Sequence, residues 1–349
     1  MGGGPTAAAT EREADGGRAR PSPSKLLARM LAGNQVQQAL FVAAKLGLPD
    51  LIARGSRTSG ELAEATGAHE GSIYRLLRAL SAVGVVAEAG RDGFALTPLG
   101  ELLRADAPGS LRPFALWSGE VTYRVFGGLE HALRTGEPAF DHVFGTEFYA
   151  YLDDNPELGD LFADLMSWNT APVAPALAAY DLSAVDLAVD LGGGRGELLA
   201  AILAAHPAIR GVLVEQPRML EQARAALAAA GVAGRCKLVP GDVLAAVPEG
   251  GDVYLLKSVL HGMTDAEATR VLANCRAAGS DGTRVLVVEL VIPPPGESSP
   301  AKLMDLLMLA GGRGRERTED EFRGLFRSAG FELTNVVAVE NGYSILEGS

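Results

Sequence analysis

LAVDLGGGRGELLAAILAAH, residues 187–206, is the stretch that decides the fold. A short apolar run ends in Asp190. Glycines follow at 192, 193, 194 and 196, and then a dense run of helix-forming apolar residues. The pattern predicts a strand, a glycine turn and a helix. Glycines at such a junction permit the tight turn and let a ligand approach the backbone closely. The G-x-G-x-G spacing of Gly192, Gly194 and Gly196 is a weak signal alone. The dinucleotide fingerprint wants Gly or Ala at the next position of interest, where this chain has Glu197. A phosphate-cradling Gly-Lys-Ser/Thr is missing as well. A carboxylate opening the helix also disfavours a pyrophosphate, so the loop suits a nucleoside ligand without phosphates.

Downstream the chain keeps alternating. IRGVLVE, RCKLVPGD, DVYLLKSVL and RVLVVELVIP read as strands. RMLEQARAALAAAG, DAEATRVLANCRAA and EDEFRGLFRSAG read as helices, and ELTNVVAVE and GYSILEG as closing strands. Regular strand–helix alternation implies a mostly parallel, doubly wound α/β sheet. The two closing strands are close in sequence, so at least one is expected to be antiparallel. Glu215 ends the second strand, 25 residues after Asp190, where an acid can accept bonds from both ribose hydroxyls. After the third strand comes PGDVL: beyond Gly241, Asp242 suits an adenine amino group and Val243 the adenine ring. Asp190, the glycine loop, Glu215 and Asp242, in order on successive strands, point to S-adenosylmethionine.

Upstream, residues 24–53 are helical by apolar spacing. Residues 57–104 read as two helices and a hairpin, a winged helix. This segment carries Arg57, Arg75, Arg78, Arg91 and Arg104 against six acids. A groove-reading helix needs a basic surface, so a structural or dimerising role is expected rather than DNA binding. The net charge of −12 over 349 residues argues the same way. Residues 109–180 are helical and rich in aromatics, suited to packing and to walling an apolar pocket. The expected divisions are a disordered tail over 1–23, a winged-helix domain over 24–108, a helical linker and pocket region over 109–180, and the nucleoside-binding domain over 181–349. The tail formally matches an N-myristoylation pattern, but its Gly/Ala-rich composition reads as plain tail. With no apolar run of spanning length, no secretory leader and two distant cysteines, Cys236 and Cys275, a cytoplasmic protein without membrane, nucleic-acid or metal partners is expected.

The order VDLGGGRGE, VEQP, PGDVL, LLKSVLHGMTD, VELVIPPP, MDLLMLAGGRGRERTEDEF and AGF resembles the plant-type and actinobacterial O-methyltransferases. The resemblance spans about residues 25–349. It implies a class I methyltransferase Rossmann-like sheet behind an N-terminal all-α, winged-helix dimerisation domain, and hence a homodimer. It implies S-adenosylmethionine as cofactor, with S-adenosylhomocysteine as product, and a small hydroxylated aromatic natural product as acceptor. Carried over residue by residue, Gly192 and its loop would hold the methionine part, Glu215 the ribose, and Asp242 and Val243 the adenine. Lys257, Ser258 and Thr170 would line the cofactor site, and Met166, Asn169 and Leu306 the acceptor. His261 would be the general base, flanked by Glu289 and Glu316. One departure is visible: the family usually has His-Asp-Trp where this chain has His261-Gly262-Met263. That places catechol-type recognition in doubt and leaves room for a bulkier ring.

The residues themselves agree about His261. It lies just past the fourth strand, on the carboxyl edge where open α/β sheets bind ligands. An imidazole titrates near neutrality and can take a phenolic proton. Glu289, ending the next strand, would sit on the same edge and fix the tautomer. Two other readings stay open: a divergent member that hydroxylates or decarboxylates on the same fold, and a winged-helix regulator.

Overall fold

The computed structural model describes residues 22–55, 57–90 and 92–349. The segment expected as a tail, with its myristoylation-like pattern, lies outside the described residues apart from Ser22 and Pro23, and Pro23 already opens a helix. Helices Pro23–Leu31, Gly33–Lys45 and Leu48–Ala53 lead into Ser59–Thr66 and Glu70–Ala82. Thr58 and Glu61 cap the fourth of these reciprocally, each side chain bonding the other's backbone N–H. The hairpin follows as β1 (Val86–Ala89) against β2 (Gly93–Leu96). Ile73, Leu77 and Leu80 on one helix face meet Leu48, Ile52, Leu62 and Phe94 in one buried cluster.

A run of helices between Arg112 and Ala178 forms the aromatic region. A π-turn over Ser118–Thr122 interrupts its first helix. A β-carbon on Gly119 there would run into the Phe41 ring, so glycine lets helix Gly33–Lys45 seat against this region. Trp117, Phe140, Phe148 and Phe162 pack edge to face or tilted. Helix Pro156–Thr170 adds Leu165 and Met166 to the same cluster, beside Leu309 and Ala310 of helix Pro300–Gly311.

The sheet contains β3 (Leu187–Leu191), β4 (Arg210–Glu215), β5 (Cys236–Pro240), β6 (Val253–Lys257), β7 (Arg284–Ile292), the two-residue β8 (Arg317–Thr318), β9 (Leu333–Ala338) and β10 (Tyr343–Gly348). Its order is β5-β4-β3-β6-β7-β10-β9, with β8 beside β7. The pairs from β5 to β7 are parallel and β10 is antiparallel to both neighbours. Both faces of β3, β4, β6 and β7 are covered, which is why these strands read as nearly continuous apolar runs. Successive residues serve opposite cores: Leu286 and Val288 join one, Val285 and Val287 the other. The strand order reverses direction between β3 and β6, at the crevice where ligands bind. Among the described helices none is long and apolar enough to cross a membrane.

Two strands differ from expectation at their functional ends. β6 stops at Lys257, because Ser258 adopts a left-handed φ of 54° and turns the chain out of the sheet. Glu289 lies inside β7, three residues before its end, because β8 pairs with Val291 and Ile292 and prolongs the strand.

Candidate active site

The glycine turn is held by backbone geometry. Gly192, Gly194 and Gly196 have φ of 69°, 58° and 74°, a region costly for side chains. Gly193 is required for another reason: a β-carbon there would collide with the Asp190 carboxylate. Sequence spacing had singled out its neighbours and passed over Gly193. Glu215 closes the turn, accepting from Gly194 N at 2.9 Å and from Gln216 N at 2.7 Å. Gly241 follows β5 directly and bonds to Glu215 O through its N–H at 3.2 Å. Asp242 is exposed at the rim, with Oδ1 on Leu244 N at 2.9 Å, and Val243 is half-buried behind it.

Asp190 is fully buried, and neither carboxylate oxygen has a partner among the described residues. Burial, with Glu215 nearby, pushes its carboxyl up to about 7. A buried carboxyl without donors is costly when ionised, so this acid suits a cationic ligand group. Lys257 lies within electrostatic reach; burial lowers its amine to about 8 against the pull of Glu289, Glu197 and Asp190.

His261 is held by side chains. After Ser258 the chain makes one 3₁₀ turn, Leu260–Gly262, and the next helix opens at Asp265 under a reciprocal cap of Thr264 and Glu267. His261 rides on that turn. Its Nδ1 lies 2.8 Å from Glu316 Oε1 and 3.8 Å from Glu289 Oε2. Both carboxylates are buried. Glu316 therefore holds the imidazole directly. Glu289, the partner expected from strand order, instead holds the turn: its Oε1 accepts from Val259 N at 3.0 Å and His261 N at 3.2 Å. Burial pulls the imidazole pKa down, but Glu289 and Glu316 outweigh it and hold the value above the ordinary 6.5. Burial raises the Glu289 carboxyl. With Nδ1 occupied by Glu316, Nε2 remains to take a proton.

The two halves touch. A β-carbon at Gly192 would lie 3.1 Å from Val259 Cγ2, so the glycine turn abuts the segment leading to His261. Asn169 reaches the sheet by donating to Tyr343 Oη at 2.6 Å, and Ser258 Oγ lies 3.3 Å from the same oxygen. Tyr343, on β10, gave no sequence signal. Thr170 is buried and bonds its own helix, donating to Met166 O at 2.8 Å. Met166 and Leu306 are half-buried, on helices Pro156–Thr170 and Pro300–Gly311, which both contribute to the aromatic cluster. Asp305, beside Leu306, accepts from Glu316 N at 3.0 Å. Arg195, at the glycine turn, pairs with Asp164 at 2.7 Å and ties the turn to the helix bearing Asn169.

The fold and the edge thus define an α/β domain with a glycine cradle and an adjoining histidine held by buried carboxylates, behind a winged helix. The O-methyltransferase domain family matches residues 126–332 of this chain and the O-methyltransferase dimerisation domain matches residues 28–106. The chain is 42% identical over 325 residues to phenazine O-methyltransferase PhzM of Lysobacter antibioticus, covering 93% of this chain and 95% of that protein. It is 42% identical over 303 residues to O-demethylpuromycin-O-methyltransferase of Streptomyces alboniger, covering 85% and 81% respectively. An O-methyltransferase from neocarzinostatin biosynthesis, solved with S-adenosylmethionine and 2-hydroxy-5-methyl naphthoic acid, superposes with a TM-score of 0.81 at 35% identity, covering 90% of this chain and 95% of that one. The chain belongs to the O-methyltransferase family. It is an S-adenosylmethionine-dependent transferase with that family's architecture.

Proposed function

We propose that this enzyme methylates an aromatic hydroxyl of a natural product, with His261 as general base. The observation that carries the reading is the imidazole fixed through Nδ1 by Glu316 at 2.8 Å, beside the glycine turn. The residues fit S-adenosylmethionine: the unpartnered Asp190 carboxylate suits its cationic amino-acid end, Glu215 its ribose, and Asp242 with Val243 its adenine. When bound, the cofactor supplies an electrophilic methyl group on a sulfonium. His261 would accept the acceptor's hydroxyl proton at Nε2, while Glu316 stabilises the imidazolium at Nδ1. Glu289 would keep the turn in place through two backbone N–H groups. Met166, Asn169 and Leu306 would orient the acceptor and exclude water.

A second copy of the chain would cover the N-terminal helix, where Leu27, Met30 and Leu31 are 58%, 66% and 74% exposed. The dimerisation-domain match supports that assembly. The intracellular supply of S-adenosylmethionine supports a cytoplasmic setting. Mass spectrometry of phenols, hydroxyphenazines and polyketide aglycones, incubated in air with protein and cofactor, tests the chemistry. Gain of one methyl group, lost in His261→Ala, is expected. Gain of oxygen or loss of a carboxyl group would transfer the protein to the divergent members of the family. Sedimentation showing only monomer at micromolar concentration would remove the dimer.

A further inference from the structure

Arg317 is the largest fully buried side chain in the described structure. Buried arginines are uncommon because the guanidinium must be desolvated and satisfied. Its ionic partner, Asp265, is largely exposed: the side chain keeps 57% of its accessible surface. That pair alone gives no reason for complete burial. The remaining bonds do. Nη1 donates to Leu260 O at 2.8 Å and Nη2 to Met263 O at 2.9 Å, while Nε holds Asp265 Oδ1 at 2.9 Å. Leu260 and Met263 bracket the turn that carries His261. Nη1 also reaches Arg315 O at 3.3 Å, two residues earlier in the segment that leads into β8.

The neighbouring residue, Glu316, takes the ring of the same histidine. Consecutive residues of an extended segment project to opposite sides. One dipeptide therefore sends a carboxylate to the imidazole and a guanidinium to the backbone beneath it. The segment is pressed onto the turn, since a β-carbon at Gly314 would collide with His261 O and Gly262. It is anchored from the acceptor side by Asp305 on Glu316 N.

We propose that Arg317 is a positioning residue for the base, clamping the Leu260–Met263 turn so that His261 stays in register with Glu316 and with the acceptor oxygen. This rests on the assignment of His261 as base. Planar geometry is what the clamp needs: a guanidinium spans two carbonyls and a carboxylate at once, whereas an ammonium cannot bridge all three. Misplacing a reacting group by about 1 Å can cost roughly 10²-fold in rate. The charged groups facing the imidazole are Glu289 from β7, Glu316 ahead of β8, and Lys257 from β6.

The test uses Arg317→Lys, which keeps the charge, and Asp265→Asn, which loosens the guanidinium from an exposed position and should fold if the first variant does not. Two readouts are needed. One is kcat, acceptor KM and S-adenosylmethionine affinity. The other is the His261 titration by NMR of ring-labelled protein saturated with S-adenosylhomocysteine; with five histidines in the chain, His261→Ala assigns the signal. The clamp predicts a kcat loss of about 10- to 100-fold for Arg317→Lys and a smaller one for Asp265→Asn. Acceptor KM and cofactor affinity should stay within about threefold, and the His261 titration should fall toward its ordinary value. Unchanged kcat and titration in both variants would overturn the proposal, as would a kcat loss that only tracks lost cofactor affinity. If wild type methylates nothing while the titration still moves, the clamp stands and the assignment of the reaction fails.

Discussion

The two halves of the sheet's carboxyl edge are built from different materials. On the β3–β4–β5 half, backbone does the shaping: three glycines at positive φ, a fourth where no β-carbon fits, and Glu215 bonded to the turn's own N–H. Asp190 is left there without a partner among the described residues. On the β6–β7 half, side chains do it: His261 is held by Glu316, its turn by Glu289 and Arg317, and Glu316 by Asp305. One half is a cradle whose buried acid has both oxygens unpartnered among the described residues; in the other, each buried glutamate spends one oxygen on the imidazole or its turn and only Glu289 Oε2 and Glu316 Oε2 lack a hydrogen bond. The first is suited to receive a ligand and the second to hold an imidazole still.

If that division is right, substitutions in the two halves should separate cleanly in kinetics. His261→Ala should show the largest effect, a kcat loss on the order of 10²–10⁴, with cofactor affinity within about twofold. Near-wild-type turnover by that variant would end the base assignment. Glu215→Gln should do the reverse. Weakened charge-assisted bonds, at about 1.5–3 kcal/mol, should raise the cofactor Kd roughly 10- to 100-fold while kcat at saturating cofactor changes little. Calorimetry with S-adenosylhomocysteine measures the first number and saturation kinetics the second. A large kcat loss for Glu215→Gln at saturation would show that the halves are not separable.

The same contrast explains what was legible in the sequence. Glycine spacing and strand-end acids are local signals, so the cradle could be read from LAVDLGGGRGE, VEQP and PGDVL with little help. The sheet itself was legible because parallel strands buried on both faces are runs of apolar residues. The His261 network was not local. His261, Glu289 and Glu316 are far apart in the chain, and only family resemblance joined all three. Strand order suggested Glu289 as the ring's partner; the structure gives that place to Glu316, because β8 docks its segment beside β7. Arg317 and Asp305 stood inside quoted motifs, yet nothing in their spacing says which carbonyl or N–H they meet. Tyr343 lies 174 residues from Asn169, and only folding brings them to 2.6 Å.

The pH dependence sharpens the second half. A base works deprotonated, so kcat/KM should fall as pH drops through the His261 pKa of the free enzyme. That pKa is held above 6.5 by Glu289 and Glu316 against burial, so the acid limb should lie above 6.5. Glu316→Gln removes a charge and the direct bond. The limb should then move to lower pH while the plateau rate drops by about tenfold, as one charged hydrogen bond implies. Glu289→Gln should also lower the limb but lose more rate, because the turn itself depends on Glu289. A limb that stays put in Glu316→Gln would mean that the 2.8 Å contact does not set the base.

The smallest effect probes the cradle's unpartnered acid. The Asp190 carboxyl is raised from 3.8 to about 7 by burial and Glu215. A carboxyl with a raised native pKa binds its proton more tightly folded than unfolded, so the ligand-free protein should lose stability as pH rises from about 4 to 7 and level off above. A cationic ligand group beside Asp190 favours the ionised form. At pH 6, S-adenosylmethionine binding should therefore release close to one proton. Calorimetry at pH 6 in buffers of different ionisation enthalpy gives the number directly, with His261→Ala as background to remove the imidazole. Asp190→Asn should abolish the release, raise the melting temperature of the ligand-free protein above pH 7 by a few degrees, and weaken the cofactor. No release from the wild-type cradle would mean that Asp190 stays neutral in the complex. The cradle would then differ from the His261 network in shape alone.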